Sequence, residues 1–461
     1  MKNSQILPFI KNYVEFLSDE LGRLHPEYRL TNIQKGWLSF CLTGILLTNS
    51  ICWRRYERMS MGSWLIGSLS WMFRRSKINW DKLLVISVKS ILLKYEVRGG
   101  ELEIDDTDRE RSKNAKKLYK LGKQKDKKSG GYFNGQSILF LLLVTEKITI
   151  PVGFVFYEMD PILRAWDKED RRLRKKKVKK RYRPEKPERD ASYPTKNELA
   201  IGLVRDFKTS FADLKIRSVK ADALYGTGQF MDGVRSLYPT TQVISQIRNN
   251  QKIVVNGQEY DITNYFAGRA EIKSEMVIRG GKRELIYYSS VIAKVIAKVV
   301  AHGKKRLIIA LKYEGEASFR YIIAADMTWR VQDVLASFSL RWLVEVFFQD
   351  WKLYEGWGQL TKHVGAEGSR QSLILSLLFD HCLLSHPTQV VSAKNNLPLC
   401  TVGSLRDKLA VQSLLQFFEF ILEQPDPKKY LSQLAENIDN VYKLRASSKH
   451  LSGRVINWNT S

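Results

Sequence analysis

The sequence predicts a mixed α/β protein with a central mixed sheet, a β-rich insertion and helical regions at both ends. Three observations lead to this prediction. Apolar residues recur at three- and four-residue steps through residues 1–98, which is typical of helices. Strand-like and helical segments alternate over residues 99–250, the pattern of an α/β sheet. Residues 251–328 instead have the pattern of antiparallel strands separated by glycine turns.

The composition is globular, but the charge balance is strongly basic. The chain has 461 residues, of which 44% are hydrophobic and 27% charged, so a wholly disordered or fibrous protein is excluded. Its 75 Lys and Arg against 48 Asp and Glu give a net charge of +27, which predicts a polyanionic partner, with nucleic acid favoured over a membrane. No membrane anchor, signal peptide or CxxC pair is evident, and these absences predict a cytoplasmic protein with no membrane partner.

The helical N-terminal region, residues 1–98, carries basic residues between its apolar runs, interleaved with tryptophans. Two interpretations remain open for it: a helical DNA-binding module, or a helical core with a solvated basic surface. We expect the first, with this region recognising specific DNA. The basic residues concerned are Arg54, Arg55, Arg58, Arg74, Arg75 and Lys77.

The sheet-forming region, residues 99–250, contains a very basic polar stretch at residues 161–195. Between positions 164 and 189 it has fourteen Lys and Arg against five Asp and Glu, and it includes several prolines. We predict an exposed or disordered loop that contacts DNA phosphates, although such charge runs are usually only solvated. The candidate DNA-binding residues of this basic stretch are Arg171, Arg172, Arg174, Lys175, Lys176 and Lys177.

The rest of the chain divides into three predicted regions. Residues 251–328 form the β-rich insertion, in which the near-repeat at 291–301 favours strand only weakly over helix. Residues 329–387 form the second part of the sheet-bearing region, with one long helix that begins near Gln332 and continues past Lys352. Residues 388–461 are predicted to be a helical C-terminal region with dimerisation as its expected role.

Three acidic positions could together bind divalent cations. Asp105 and Asp106 are predicted to end one strand and Asp222 another, while Glu345 lies in the predicted long helix. Carboxylates on two strand ends and one helix can converge on a pair of Mg²⁺ ions, whose preferred ligands are hard oxygens. Taken singly each position has an ordinary explanation, because strand-end aspartates often cap turns and a helical glutamate is usually solvated.

One face of the predicted long helix collects four residues of interest. At 100° per residue, Phe338, Arg341, Glu345 and Lys352 fall within a stripe about 60° wide. The opposite face is apolar and is predicted to be buried; its residues are Leu340, Leu343, Val344, Phe347 and Trp351. The stripe is either an ordinary solvated face with an Arg–Glu pair or a metal ligand flanked by phosphate-binding cations.

These residues resemble the motif of the insertion-sequence-four family of bacterial DDE transposases. That motif is Y-x2-R-x3-E-x6-K on the helix bearing the third acid, and Phe338-x2-Arg341-x3-Glu345-x6-Lys352 matches three of its four letters at identical spacing. The Asp-Asp-Thr at 105–107 resembles the family's first acidic segment, which favours Asp105 over Asp106, and the ADALYG around 222 resembles the second. The resemblance spans residues 99–385.

The resemblance implies an RNase H-like fold and a site of two Mg²⁺ ions, for which Mn²⁺ can substitute, held by Asp105, Asp222 and Glu345. It implies strand cleavage and strand transfer on double-stranded DNA, both at the inverted-repeat ends of an insertion sequence and in target DNA. It also implies a homodimeric synaptic complex and a bacterial, nucleoid-associated location. Arg341 and Lys352 are then expected to bind terminal phosphates.

The family's tyrosine is replaced by Phe338, which lacks the hydroxyl but is still expected to face the DNA end. Two alternatives to a transposase remain open. One is a related nuclease that cleaves DNA without joining it, and the other is a non-catalytic DNA-binding relic or repressor.

Overall fold

The fold is described from a computed structural model of the full chain. It describes residues 6–112, 115–126, 129–277, 281–296, 302–357 and 363–442.

The described residues form fifteen α-helices and twelve β-strands. The helices are α1 (Pro8–Leu24), α2 (Asn32–Thr48), α3 (Trp53–Met59), α4 (Ile66–Arg75), α5 (Trp80–Lys94), α6 (Pro161–Lys175), α7 (Lys196–Ser210), α8 (Gly228–Leu237), α9 (Ile262–Ala267), α10 (Val331–Ser339), α11 (Trp342–Tyr354), α12 (Gly365–Leu384), α13 (Pro387–Lys394), α14 (Val402–Leu422) and α15 (Pro427–Val441). The strands are β1 (Gly99–Arg111), β2 (Gly122–Lys125), β3 (Tyr132–Val144), β4 (Thr149–Tyr157), β5 (Lys215–Ala221), β6 (Gln242–Ile247), β7 (Lys252–Val255), β8 (Gln258–Asp261), β9 (Ile272–Val277), β10 (Arg283–Ile296), β11 (Lys305–Tyr313) and β12 (Arg320–Ala324).

The N-terminal region is helical, as the apolar spacing predicts, and two of its five helices begin at side-chain caps. Thr31 and Gln34 form a reciprocal capping box at the start of α2, and the Asn79 side chain accepts the Lys82 N–H at the start of α5. These helices have no core of their own. Their apolar side chains share one cluster with α11, α12 and one face of β3 and β4. The DNA-binding role of this region remains a prediction.

Five strands form the centre of the sheet in the spatial order β4-β3-β1-β5-β6. Strands β1, β3 and β4 are antiparallel neighbours, whereas β5 and β6 run parallel to β1. Numbered among themselves, these strands have the order 3-2-1-4-5, with three antiparallel and two parallel members. This is the order and polarity of an RNase H-like core, so the predicted fold class is confirmed.

The β-rich insertion continues this sheet and does not fold apart from it. Strand β12 pairs antiparallel with β6, and β11, β10, β7 and β8 follow in order. Unpaired backbone groups at the edge of β6 explain the arrangement, because a buried sheet edge must be paired or covered. The strand predicted from position 291 onward is present as far as Ile296 in β10, and residues 297–301 lie outside the described residues.

The basic stretch at 161–195 is not simply a loop, which corrects the sequence-based prediction. Its first half is α6, whose start is capped by Asp160 accepting the N–H groups of Ile162 and Leu163. Along α6, acidic residues pair with arginines one turn later, an arrangement that stabilises an exposed helix. These pairs are Asp167–Arg171, Glu169–Arg172 and Asp170–Arg174.

The predicted long helix is two helices, α10 and α11, which corrects a second prediction. Leu340 and Arg341 separate them, and the N–H groups of Leu340, Arg341 and Val344 bond three residues back instead of four. A tight turn of this kind inside a helical segment often marks a hinge. Because the 100° spacing does not continue across the break, the predicted stripe loses its first member, Phe338.

Phe338 is therefore buried and does not face solvent, contrary to the prediction that it contacts a DNA end. Only 6% of it is exposed, and it packs in a cluster with Ile244 of β6, Ile322 of β12 and Leu335 of α10. On the predicted apolar face, Phe347 and Trp351 are buried as expected, whereas Leu340 is exposed.

Among the described residues, no single helix is long and apolar enough to cross a membrane. The pair α2 and α3, bent by 88°, passes that test together by length and composition only.

Replacing Phe338 should change stability and not DNA contact. We expect Phe338→Ala to lower the free energy of unfolding by about 3–5 kcal/mol, because it leaves a cavity in the core. Phe338→Tyr should lower the free energy of unfolding by about 1–3 kcal/mol, because the added hydroxyl would be buried without a hydrogen-bond partner. Urea denaturation followed by circular dichroism measures both, with Leu353→Ala on the exposed face of α11 as the control. Native stability of both Phe338 variants would contradict this placement.

Candidate functional site

The core of the candidate site is a pair of aspartates placed side by side by the sheet. Strands β1 and β5 are parallel, and Ile104 pairs with Ala221. The next residue on each strand is an aspartate, so Asp105 and Asp222 are neighbours on the same face. Asp222 directly follows β5, as predicted, but Asp105 lies in the middle of β1, because that strand continues to Arg111.

Asp105 and Asp106 point to opposite faces of the sheet, as successive residues of a strand must. The Asp106 carboxylate forms an ion pair with Lys196 of α7, on the face away from α11. The Asp105 carboxylate instead lies 3.2 Å from a guanidinium nitrogen of Arg341, on the face that α11 covers. This arrangement is compatible with the predicted choice of Asp105 as the first acid, and its role remains a prediction.

Arg341 links the aspartate pair to the third predicted acid. One guanidinium nitrogen bonds Asp105 Oδ2, and the other lies 3.5 Å from Glu345 Oε1. The Asp105 side chain is 15% exposed and that of Glu345 is 60% exposed, so the site has a buried end and a solvent-facing end. The break between α10 and α11 places Arg341 at the first turn of α11, from which it reaches both carboxylates.

The surroundings of Asp105 make its carboxyl group harder to ionise than that of an ordinary aspartate. Burial and, to a smaller extent, the negative charge of Asp222 raise the pKa of Asp105 to about 7, although the positive charge of Arg341 opposes both effects. A cation bound nearby would favour the ionised form of this carboxyl group.

The donor chemistry of the pair fits a hard divalent cation, because it offers carboxylate oxygens whose charge one guanidinium only partly compensates. Within the described ranges, no group of three or more His, Cys, Asp or Glu side chains is close enough to hold a metal ion. Arg341 stands between the aspartate pair and Glu345. The pair therefore fits such an ion, whereas Glu345 joins it only if Arg341 moves.

Lys352 continues the same face of β1 beyond the aspartates. Its ammonium donates to the hydroxyl of Thr107, two residues after Asp105. Burial and the nearby Arg109 both lower the pKa of Lys352, which marks a place where positive charges accumulate. Arg341 and Lys352 thus contact side chains of β1, Glu345 is connected to β1 only through Arg341, and Phe338 does not belong to this face.

The predicted basic residues of α6 fall into two groups. Arg171, Arg172 and Arg174 form the ion pairs already described with acidic residues of their own helix. The following lysines are exposed and form no ion pair with any described residue; they are Lys175, Lys176, Lys177, Lys179 and Lys180. We call these five lysines the basic tip.

The basic tip is held by side-chain bonds at its base. Asp170 pairs with Arg183, and the Trp166 indole donates to the Pro184 carbonyl. Sequence analysis did not separate the paired arginines from the free lysines, although the acidic residues three and four positions earlier are a visible signal for the pairing.

Sequence analysis also missed a buried lysine, Lys220, which lies on the same face of the sheet as the aspartate pair and two residues before Asp222. It is fully buried on β5 and forms ion pairs with Glu101 and Glu103 of β1. A lysine among the apolar residues of a central strand, two positions before Asp222, was the available signal, because such a lysine must be paired when buried.

The elevated pKa of Asp105 predicts how stability depends on pH. An acid whose pKa is higher in the folded state than in the unfolded state destabilises the fold as pH rises from about 4 to 7. Asp222→Asn removes one of the causes that raise this pKa, a smaller one than burial, so this variant should lose roughly 1 kcal/mol less than the native protein over that range. Urea unfolding at a series of pH values measures the difference, with the exposed Asp213→Asn as the control. Parallel pH curves for the native protein and Asp222→Asn would contradict the coupling.

Comparison with known proteins adds one distant structural similarity. No protein-family model matches the chain, and no curated protein matches it. A similar solved structure is the cryo-EM structure of the piggyBac transposase synaptic complex with hairpin DNA. The two share 11% sequence identity and a TM-score of 0.44, over 97% of this chain and 86% of that chain. This similarity assigns no activity to the chain, and the resemblance to the insertion-sequence-four family remains a prediction from its motif.

Proposed function

We propose that the chain is a DDE transposase, which cleaves DNA strands at the ends of an insertion sequence and joins them to target DNA in a metal-dependent reaction. The observation that carries the proposal is the partly buried Asp105–Asp222 pair on adjacent parallel strands of an RNase H-like core, with Arg341 joining it to Glu345. The strong positive charge of the chain supports DNA as the substrate.

Asp105 and Asp222 would hold Mg²⁺ or Mn²⁺, with Glu345 as the third ligand; the family resemblance implies two ions. When bound, the metal supplies positive charge that activates the attacking oxygen and stabilises the leaving oxygen of the phosphodiester. The protein itself supplies a partly buried, preorganised pair of carboxylates. Since Arg341 opposes the elevated pKa of Asp105, it keeps Asp105 more ionised in the absence of metal.

Arg341 and Lys352 would bind the phosphates on either side of the scissile bond. Both cations lie over β1, one at Asp105 and the other at Thr107, two residues further along. One phosphate-binding group, Arg341, would then lie next to the aspartates, and the other, Lys352, would lie further along β1. When DNA enters, Arg341 exchanges its bond to Glu345 for one to a phosphate oxygen, and Glu345 is released toward the aspartates.

The proposed partners are the inverted-repeat ends of the element, target DNA and a second copy of the chain in a homodimeric synaptic complex. The basic tip would follow the DNA backbone without reading bases. Helical residues 1–98 would recognise the element ends.

The acidic residues provide the first test. We expect Asp105→Ala, Asp222→Ala and Glu345→Ala each to abolish Mg²⁺-dependent nicking of a DNA end while leaving gel-shift binding of that end largely intact. Losing one carboxylate removes a ligand for the metal but no phosphate contact. Asp106→Ala is the matched control, because that neighbouring carboxylate pairs with Lys196 on the opposite face.

The same assay separates the proposal from its alternatives. Nicking that depends on Asp106 but not on Asp105 would overturn the assignment of the first acid. Cleavage without insertion of 3′-OH ends into target DNA would indicate a nuclease. DNA binding by the native protein with no metal-dependent cleavage would indicate a non-catalytic relic or repressor.

The two groups of basic residues on α6 predict different salt dependence. Replacing four lysines of the basic tip by glutamine should weaken binding to all DNA sequences alike and reduce the log–log salt slope by about 3–4, because each lost phosphate contact contributes about 0.9. Replacing the paired Arg171, Arg172 and Arg174 by glutamine should change the slope by less than half as much. Fluorescence anisotropy across a salt series measures both slopes. Equal slopes for the tip variant and the native protein would show that the tip is only solvated.

A further inference from the structure

A fully buried ammonium group lies beneath the candidate site. Lys220 is 0% exposed on β5, two residues before Asp222. Its Nζ donates to Glu101 Oε2 at 2.6 Å and to the Ser337 carbonyl at 2.8 Å. The same Nζ lies 2.6 Å from Glu103 Oε1. The ammonium thus donates two hydrogen bonds and forms a close ion pair with Glu103.

The oxygens around Lys220 come from the elements that carry the candidate site. Glu103 precedes Asp105 by two residues on the same face of β1. Ser337 lies in the last turn of α10, four residues before Arg341. Two residues of a strand span about 6.6 Å, so the buried cluster is one side-chain layer away from the aspartate pair.

The Ser337 hydroxyl ties the cluster further together. It donates to Glu101 Oε2 at 2.9 Å and lies 3.0 Å from the hydroxyl of Ser218 on β5. Arg217, which is largely exposed, approaches Glu101 to 3.7 Å from the solvent side. The last turn of α10 is therefore bonded to β1 and β5 through both its backbone and a side chain.

A buried cluster of charged side chains contributes little to the stability of a fold. Removing charges from water is costly, and apolar residues of similar size often stabilise a fold as well or better. Apolar packing, however, allows small sliding movements, whereas bonds to three fixed oxygens allow one arrangement. The effect of the cluster is therefore on the position of α10 relative to β1 and β5.

We propose that Lys220, together with Glu101 and Glu103, is a positioning residue that fixes the end of α10 and hence the placement of Arg341 and Glu345 against the aspartates. This inference rests on the proposed function. Lys220 acts through the helix and contacts neither DNA nor the metal.

The test replaces the cluster by neutral side chains of similar size, in the full-length variant E101Q/E103Q/K220M. Direct binding of Mn²⁺ is measured by electron paramagnetic resonance, and nicking of a DNA end is measured as a function of DNA concentration. We expect Mn²⁺ affinity to fall roughly tenfold, as is usual when residues that orient metal ligands are lost. We also expect kcat to fall while KM for DNA stays unchanged, because the phosphate contacts outside the site remain.

A second ion pair with a buried cation, whose aspartate partner is partly exposed, provides a control. Arg306 of β11 is 3% exposed and lies 2.7 Å from Asp232 of α8. It joins two elements that carry none of the predicted acids. The variant R306M/D232N should keep native Mn²⁺ affinity and native kcat, even if its melting temperature changes.

Native Mn²⁺ affinity and native kcat in a folded E101Q/E103Q/K220M variant would overturn the positioning role. If that variant does not fold, Ser337→Ala removes only a hydroxyl and its two bonds, and it should shift Mn²⁺ affinity and kcat in the same direction by a smaller factor. It should also increase amide hydrogen exchange in residues 338–345, and native values for all three in Ser337→Ala would overturn the role. Failure of the proposed function is distinguishable, because the native protein would then show no metal-dependent nicking, or Asp105→Ala would nick DNA as the native protein does.

Discussion

The parallel pairing of β1 with β5 is the constraint on which the candidate site depends. Because Ile104 is paired with Ala221, the two aspartates that follow must lie side by side, whatever their mutual repulsion. The sheet is buried between helices, so the backbone cannot relax to separate them. The cations nearby are best understood as responses to this fixed negative charge: Arg341 faces Asp105 directly, and Lys220 offsets the acids one layer below.

The charge of the side chains on one face of β1 changes from one end of the strand to the other. Alternate residues from 101 to 111 share this face, and they change from acidic through Thr107 to basic. Lys220 lies over the acidic end, Arg341 over the middle, and Lys352 next to Thr107. The charge of a phosphodiester would attract it to the basic end and repel it from the acidic end, so its reacting bond would approach the carboxylates only where bound cations neutralise them. A single strand can thus provide both substrate orientation and the carboxylates in the proposed reaction.

Much of the fold could be predicted from the sequence, because local apolar spacing and strand alternation survive in the folded protein. The acidic positions could be nominated, but their convergence depends on the register between strands more than a hundred residues apart. The break at Leu340 could not be seen, because the apolar spacing predicts helix on both sides of it. The burial of Phe338 likewise depends on contacts with β6 and β12. The helix α6 was missed although its Asp167–Arg171 pair was visible in the sequence.

The break between α10 and α11 also marks a seam between two hydrophobic cores. Phe338 anchors α10 in the core formed with the extended part of the sheet, whereas Phe347 and Trp351 anchor α11 in the core shared with the terminal helices. Arg341 is located at the seam itself, bonded to Asp105. A shift of the terminal helical regions relative to the extended part of the sheet would therefore move Arg341 relative to Asp105. In the proposed function, movements of DNA bound at the periphery would reach the carboxylates by this route without unfolding either core.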